Sequence, residues 1–181
     1  MSSRWPMADS RWLVALALAV IGLTAYAPVL SYNFFWEDPF DIGQVDGYSY
    51  SQLLFAPNSN SYYRPLALIL LKLMKGDGAA YSPLPYHPFN VGAHLCAVLL
   101  LCGASRYLFG DSLAAFGAGL LFVLYPVGFE APARASSMHS LYVSLTIAAL
   151  WLYAYGREHR KRWPFVLAFV CATAFPLLHE N

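Results

Sequence analysis

Five apolar runs, at residues 12–30, 89–108, 113–129, 137–155 and 163–178, account for about half of the 181 residues of this chain. Each approaches the roughly 17–25 residues that a helix needs to cross the hydrocarbon core of a bilayer. Backbone polar groups have no water to bond inside lipid, so runs of this kind fold as helices. The composition agrees. Hydrophobic residues make up 59% of the chain and charged residues 12%, against about 45–50% and about 25% in soluble domains. A net charge of +1 leaves no electrostatic footprint for nucleic acid, and the apolar excess excludes a disordered chain or an ordinary water-soluble enzyme. The expectation is an all-α protein: a polytopic transmembrane bundle of about five spans, one membrane domain over residues 1–181. Its long outer loop, 31–86, carries an interfacial helix.

Basic residues set the orientation. With the N-terminus cytoplasmic, Arg4, Arg11, Arg106, Arg157, Arg160, Lys161 and Arg162 lie inside, whereas Arg64, Lys72, Lys75 and Arg134 lie outside. The acids sort the other way, with Asp9, Asp111 and Glu158 inside and the other seven outside. Ala25-Tyr26-Ala27 resembles a signal-peptide cleavage site, but Pro28 follows it directly and the apolar run is long. The first run is therefore read as an uncleaved helix. Runs two and three meet at Phe109-Gly110-Asp111-Ser112, a tight turn in which Ser112 is the expected helix N-cap. In the outer loop, Pro65 suits the first turn of a helix, and Lys72 and Lys75 would share one face of a helix lying in the interface. Cys96, Cys102 and Cys171 lie in apolar runs and read as small buried hydrophobes.

Ionisable groups beside a span are costly and carry a functional presumption. Glu37 and Asp38 follow the first run, Glu130 and Arg134 join the third and fourth, His139 opens the fourth, and His179 and Glu180 close the fifth. All are expected on one membrane face. Such a cluster can hold a divalent cation, supply a general base, or grip a hydroxylated ligand. His87, Asn90 and His94 recur at helical spacing, which suits packing between helices as well as ligand binding.

In order, these residues resemble the N-terminal part of the GT-C superfamily of polytopic membrane glycosyltransferases. The likeness is to its protein O-mannosyltransferase and related bacterial lipid-linked-sugar branch. Asn33-Phe34-Phe35-Trp36-Glu37-Asp38 matches an N-x-F-x-x-D-D-like element, and Tyr63-Arg64-Pro65-Leu66 a Y-R-P-L element. Tyr86-His87-Pro88-Phe89-Asn90 with His94 matches F-H-x-x-N-x-x-x-H, and Tyr125-Pro126-Val127-Gly128-Phe129-Glu130-Ala131 matches H-P-V-x-x-E-A. His179-Glu180 stands where the family has K-E. Glu37, Tyr125 and Gly128 replace the family's Asp, His and second His. The resemblance implies transfer of a sugar from a polyprenyl-phosphate donor to an acceptor hydroxyl on the extracytoplasmic side, by a protein longer than this chain. It implies Asp38 as the base, with Glu37 supporting it or holding a divalent cation. Arg64 and Arg134 would neutralise the leaving phosphate, and Glu130, His139, His179 and Glu180 would contact substrate. The competing readings are a transporter or flippase component, whose charges belong near the bilayer midplane, and a truncated membrane protein without catalysis.

Overall fold

The computed structural model describes residues 10–55, 63–76 and 82–178. Within them every regular element is helical: α1 (Ser10–Tyr26), α2 (Asp38–Gly43), α3 (Tyr50–Phe55), α4 (Pro65–Lys75), α5 (Tyr86–Phe109), α6 (Ser112–Leu124), α7 (Glu130–Ala133), α8 (His139–His159) and α9 (Trp163–Leu178). Short 3-10 turns, Ala27–Ser31 and Pro126–Phe129, extend α1 and follow α6.

Local chemistry sets the boundaries. Pro65 is the first residue of α4, where its missing N–H is one that the helix would leave unpaired anyway. α5 ends as Gly110 turns left-handed at φ 71° and donates its N–H to the Arg106 carbonyl. Asp111, not Ser112, then caps α6, its carboxylate accepting from the Leu113 and Ala114 N–H groups. Gly110 has open space where a Cβ would stand, so Gly110→Ala carries only the left-handed backbone penalty, about 1–2 kcal/mol. Gly117, within α6 and equally open, has no such constraint, and Gly117→Ala should stabilise by ~0.5–1 kcal/mol. Thermal melts of the two variants in nanodiscs are expected to move in opposite directions.

The five expected spans are unequal. The α1 segment Trp12–Ser31 and α5 are long and apolar enough to cross a membrane. The third run, expected unbroken over 113–129, is divided: Tyr125 is extended and Pro126 opens a 3-10 turn, because proline disfavours helical geometry in the residue before it and offers no N–H to the ladder. At 1.5 Å per residue, the 13 residues of α6 cover only about 20 Å. α9 is apolar but also short, and α8 carries a more polar end at Arg157–His159.

α5 is the central post, packing against α1, α6 and α8, while α8 pairs with α9. One core joins Leu18, Tyr26 and Val29 to Val91, Val98 and Val123. A second, at the end of the bundle where α5 and α8 begin and α9 ends, joins Ile42, Leu53, Leu68 and Leu71 to Tyr86, Met138 and Leu178. The apolar face of α4 is thus buried in protein, and its lysines point back into the fold. Lys72 donates to the Val45 carbonyl and Lys75 pairs with Asp46, so both tie down the α2–α3 connection. Leu16, Leu121 and Phe169, 60%, 75% and 69% exposed, leave apolar faces of a kind that water disfavours and lipid accepts.

Candidate functional site

The second core supports a cleft of about 430 Å³ at that end of the bundle. One wall is polar, with Glu37, Asp41, Arg64, Arg134, Ser137 and His139; the other is apolar, with Phe40, Met138, Tyr142 and Leu178. The polar wall is assembled by a contact between chain segments nearly a hundred residues apart.

That contact centres on Asp38, which is 0% exposed and does not line the cleft. Its carboxylate accepts from three backbone N–H groups: Phe35 at 3.2 Å, Ala135 at 3.2 Å and Ser136 at 2.9 Å. From the other side, the Asn90 amide donates to the carbonyls of Arg134 and Ala135 at 2.8 and 3.1 Å. The segment between α7 and α8 is therefore gripped through its N–H groups by Asp38 and through its carbonyls by Asn90. Charge-assisted bonds to backbone amides are among the stronger hydrogen bonds in proteins, and this pair fixes where Arg134 leaves the backbone. Trp36, one residue before Glu37, holds φ at 55°, a left-handed conformation unusual for a bulky side chain.

Arg134 reaches back across the contact. Its Nη2 donates to Glu37 Oε2 at 2.8 Å and to Asp41 Oδ2 at 2.7 Å, and its Nε donates to Ser136 Oγ. Asp41 also accepts from Arg64 Nη2 at 3.0 Å, from the Gln44 amide and from the Ser136 hydroxyl. It is the hub that holds the two guanidinium groups together. Burial acts to lower the Arg134 pKa, but the hydrogen bond and charge of Asp41, with the charges of Glu37 and Asp38, outweigh it and hold the pKa above its usual value. Arg134 is a permanent cation. Glu37 is different in kind from its neighbour: its side chain is 57% exposed, on the cleft.

The other expected site residues separate. His139 lines the cleft, its Nδ1 2.8 Å from the Ser137 hydroxyl. Glu130 stands exposed at the start of α7, away from the cleft lining. His179 and Glu180 lie outside the described residues. His87 is fully buried, edge-on to the Tyr32 ring. His94 packs between Tyr26 and Phe122. Among the described residues no three His, Cys, Asp or Glu side chains converge to hold a metal ion. Sequence reasoning missed Asp41, although it lies three residues after Asp38 and four after Glu37 on a turn that Pro39 marks as a helix start, the spacing that puts side chains on one face.

No protein-family model and no solved structure matches the chain. Over 188 aligned residues it is 29% identical to the human protein named Protein O-mannosyl-transferase TMTC2, and equally to the mouse protein of that name. The alignment covers 93% of this chain and 22% of either relative, so the chain spans about a fifth of their length. The similarity lies on the O-mannosyltransferase side of the resemblance, and the bacterial branch has no support in it.

Proposed function

We propose that this chain forms the donor-binding and base-bearing part of a membrane glycosyltransferase that moves a sugar from a polyprenyl-phosphate carrier to an acceptor hydroxyl. The cleft carries the reading. It joins two arginines, which suit a phosphate, to an exposed carboxylate, which suits a hydroxyl proton, at the end of helices with bare apolar faces for a lipid tail. The similarity to an O-mannosyl-transferase supplies the reaction class.

In this reading the roles first expected of the acid pair exchange. Glu37 takes the proton from the acceptor hydroxyl as its oxygen bonds to the anomeric carbon. The bond from that carbon to the phosphate oxygen breaks, and polyprenyl phosphate leaves against Arg64 and Arg134, whose fixed charges stabilise it. Asp38 is a positioning residue, and so is Asn90. His139 contacts the sugar or phosphate, whereas Glu130 does not line the cleft and is given no such role. A divalent cation at Glu37 and Asp38 does not suit the donor set, because Arg134 holds Glu37 and three backbone N–H groups hold Asp38. The natural protein in nanodiscs, given radiolabelled polyprenyl-phosphate mannose and a hydroxyl-bearing peptide, should transfer label and release polyprenyl phosphate. Equal label release without the protein, under conditions where it binds the carrier, would contradict the reading.

We also propose that α1, α5, α6, α8 and α9 all enter the bilayer, with the turn at residues 160–162 cytoplasmic and the cleft extracytoplasmic. The basic cluster at that turn supports this orientation. Single cysteines at Arg160 and Glu130, in a background lacking the native cysteines, should react with an impermeant maleimide from opposite sides of sealed vesicles. Labelling of both from one side would refute the arrangement.

A further inference from the structure

The cations of the cleft are already spoken for. Both hydrogens of Arg134 Nη2 are used, one by Glu37 and one by Asp41, and Arg64 Nη2 bonds the opposite oxygen of Asp41. With Asp38 bonded to backbone amides and 4.0 Å from Arg134 Nε, two arginines face two carboxylates on the cleft and a third behind it, so the formal charges leave no surplus cation. A phosphate that simply added itself to this arrangement would meet carboxylates as close as guanidinium groups, and like charges oppose it. The two carboxylates differ in how firmly they are held. Asp41 is nearly buried and accepts four hydrogen bonds, from Arg64, Gln44, Arg134 and Ser136. Among the described residues Glu37 has the single partner Arg134, and its side chain is more than half exposed. An exposed ion pair with one bond is worth little and is readily given up.

We infer that an incoming phosphate displaces Glu37 from Arg134, so that seating the phosphate-bearing ligand releases the Glu37 carboxylate toward the cleft. The inference rests on the function proposed above and deepens it, since it makes the base available only when the donor is in place. Before exchange, the Glu37 carboxylate is bonded to the Arg134 guanidinium and not to an acceptor hydroxyl. After exchange, the phosphate takes over neutralisation of Arg134, and the carboxylate is free to accept a hydroxyl proton. Donor therefore binds before acceptor becomes reactive. Asp41 keeps the two guanidinium groups in register throughout, because its other bonds do not depend on Glu37.

The sign of one substitution decides this. If Glu37 competes with phosphate for Arg134, Glu37→Gln removes the competitor and tightens phosphate binding; if Glu37 helps to shape the phosphate site, the same change weakens it. The natural protein in nanodiscs is titrated with a short-chain polyprenyl monophosphate, with inorganic phosphate, and with the neutral polyprenol. Exchange requires Glu37→Gln to bind the monophosphate more tightly, on the order of tenfold, within the range of couplings between interacting sites, with no change for the polyprenol. Glu130→Gln, which removes an equal charge outside the cleft, should leave binding unaltered. Inorganic phosphate showing the same gain would place the effect on the anion, and a gain confined to the lipid-linked form would show that the tail is needed to seat it; both support exchange. Unchanged or weaker binding by Glu37→Gln, or an equal gain from Glu130→Gln, overturns exchange while leaving the proposed function standing. Wild-type protein that prefers the polyprenol to its phosphate overturns both.

Discussion

Glu37→Gln is expected to lower kcat by about 10²–10⁴-fold, the usual contribution of a positioned general base, with stability changed by less than ~1 kcal/mol. The second half of that expectation follows from exposure: the side chain is more than half accessible and loses one surface ion pair, and such pairs contribute little to folding. Arg134 is not stranded by the change, since it retains Asp41 and the Ser136 hydroxyl. Steady-state transfer from the lipid-linked donor, measured beside a thermal melt, separates the two effects. A melt lowered in step with activity would remove Glu37 from the chemistry and make it a structural residue.

Asp38→Ala is expected to act in the opposite sense, on the fold before the chemistry. The substitution leaves the N–H groups of Phe35, Ala135 and Ser136 without their acceptor, in a site with no solvent exposure. Each unsatisfied buried group costs about 1–3 kcal/mol, so a loss of roughly 3–9 kcal/mol is expected from the three. Asp38→Asn is the milder test, because the amide keeps the shape and one acceptor oxygen while removing the charge. Activity should fall in both variants through misplacement of Arg134, and Asn90→Ala should produce a similar, smaller loss from the other side of the same segment. Asp38→Asn that melts like the wild type but transfers no sugar would return the base to Asp38.

The contrast between these neighbours explains what the sequence discloses and what it hides. The longer helices are visible because each follows from local rules: apolar runs for α1, α5, α8 and α9, Pro65 for α4, and the glycine-containing turn between α5 and α6; the short α2, α3 and α7 carry no such run. The break after α6 was also written locally, in Pro126, but a composition window reads through a single proline. The site is legible only in part. Glu37, Arg64, Arg134 and His139 stand out as charged or polar residues at the ends of apolar runs, and they do meet in the cleft. The contrast between exposed Glu37 and buried Asp38 is not local, since it depends on which of them faces the N–H groups of Ala135 and Ser136, 97 and 98 residues away. Asp41 escaped notice for the same reason. Its importance comes from two arginines that approach it from 23 and 93 residues away.

In the function proposed above, the cleft holds the phosphate of a lipid-linked sugar between Arg64 and Arg134, with Glu37 beside the acceptor. An experimental structure of the natural protein with a bound polyprenyl monophosphate tests it most directly. The phosphate is expected within hydrogen-bond distance of both arginines, with the Glu37 carboxylate turned away from Arg134. A phosphate seated elsewhere, with the Arg134 bonds to Glu37 and Asp41 intact, would contradict it.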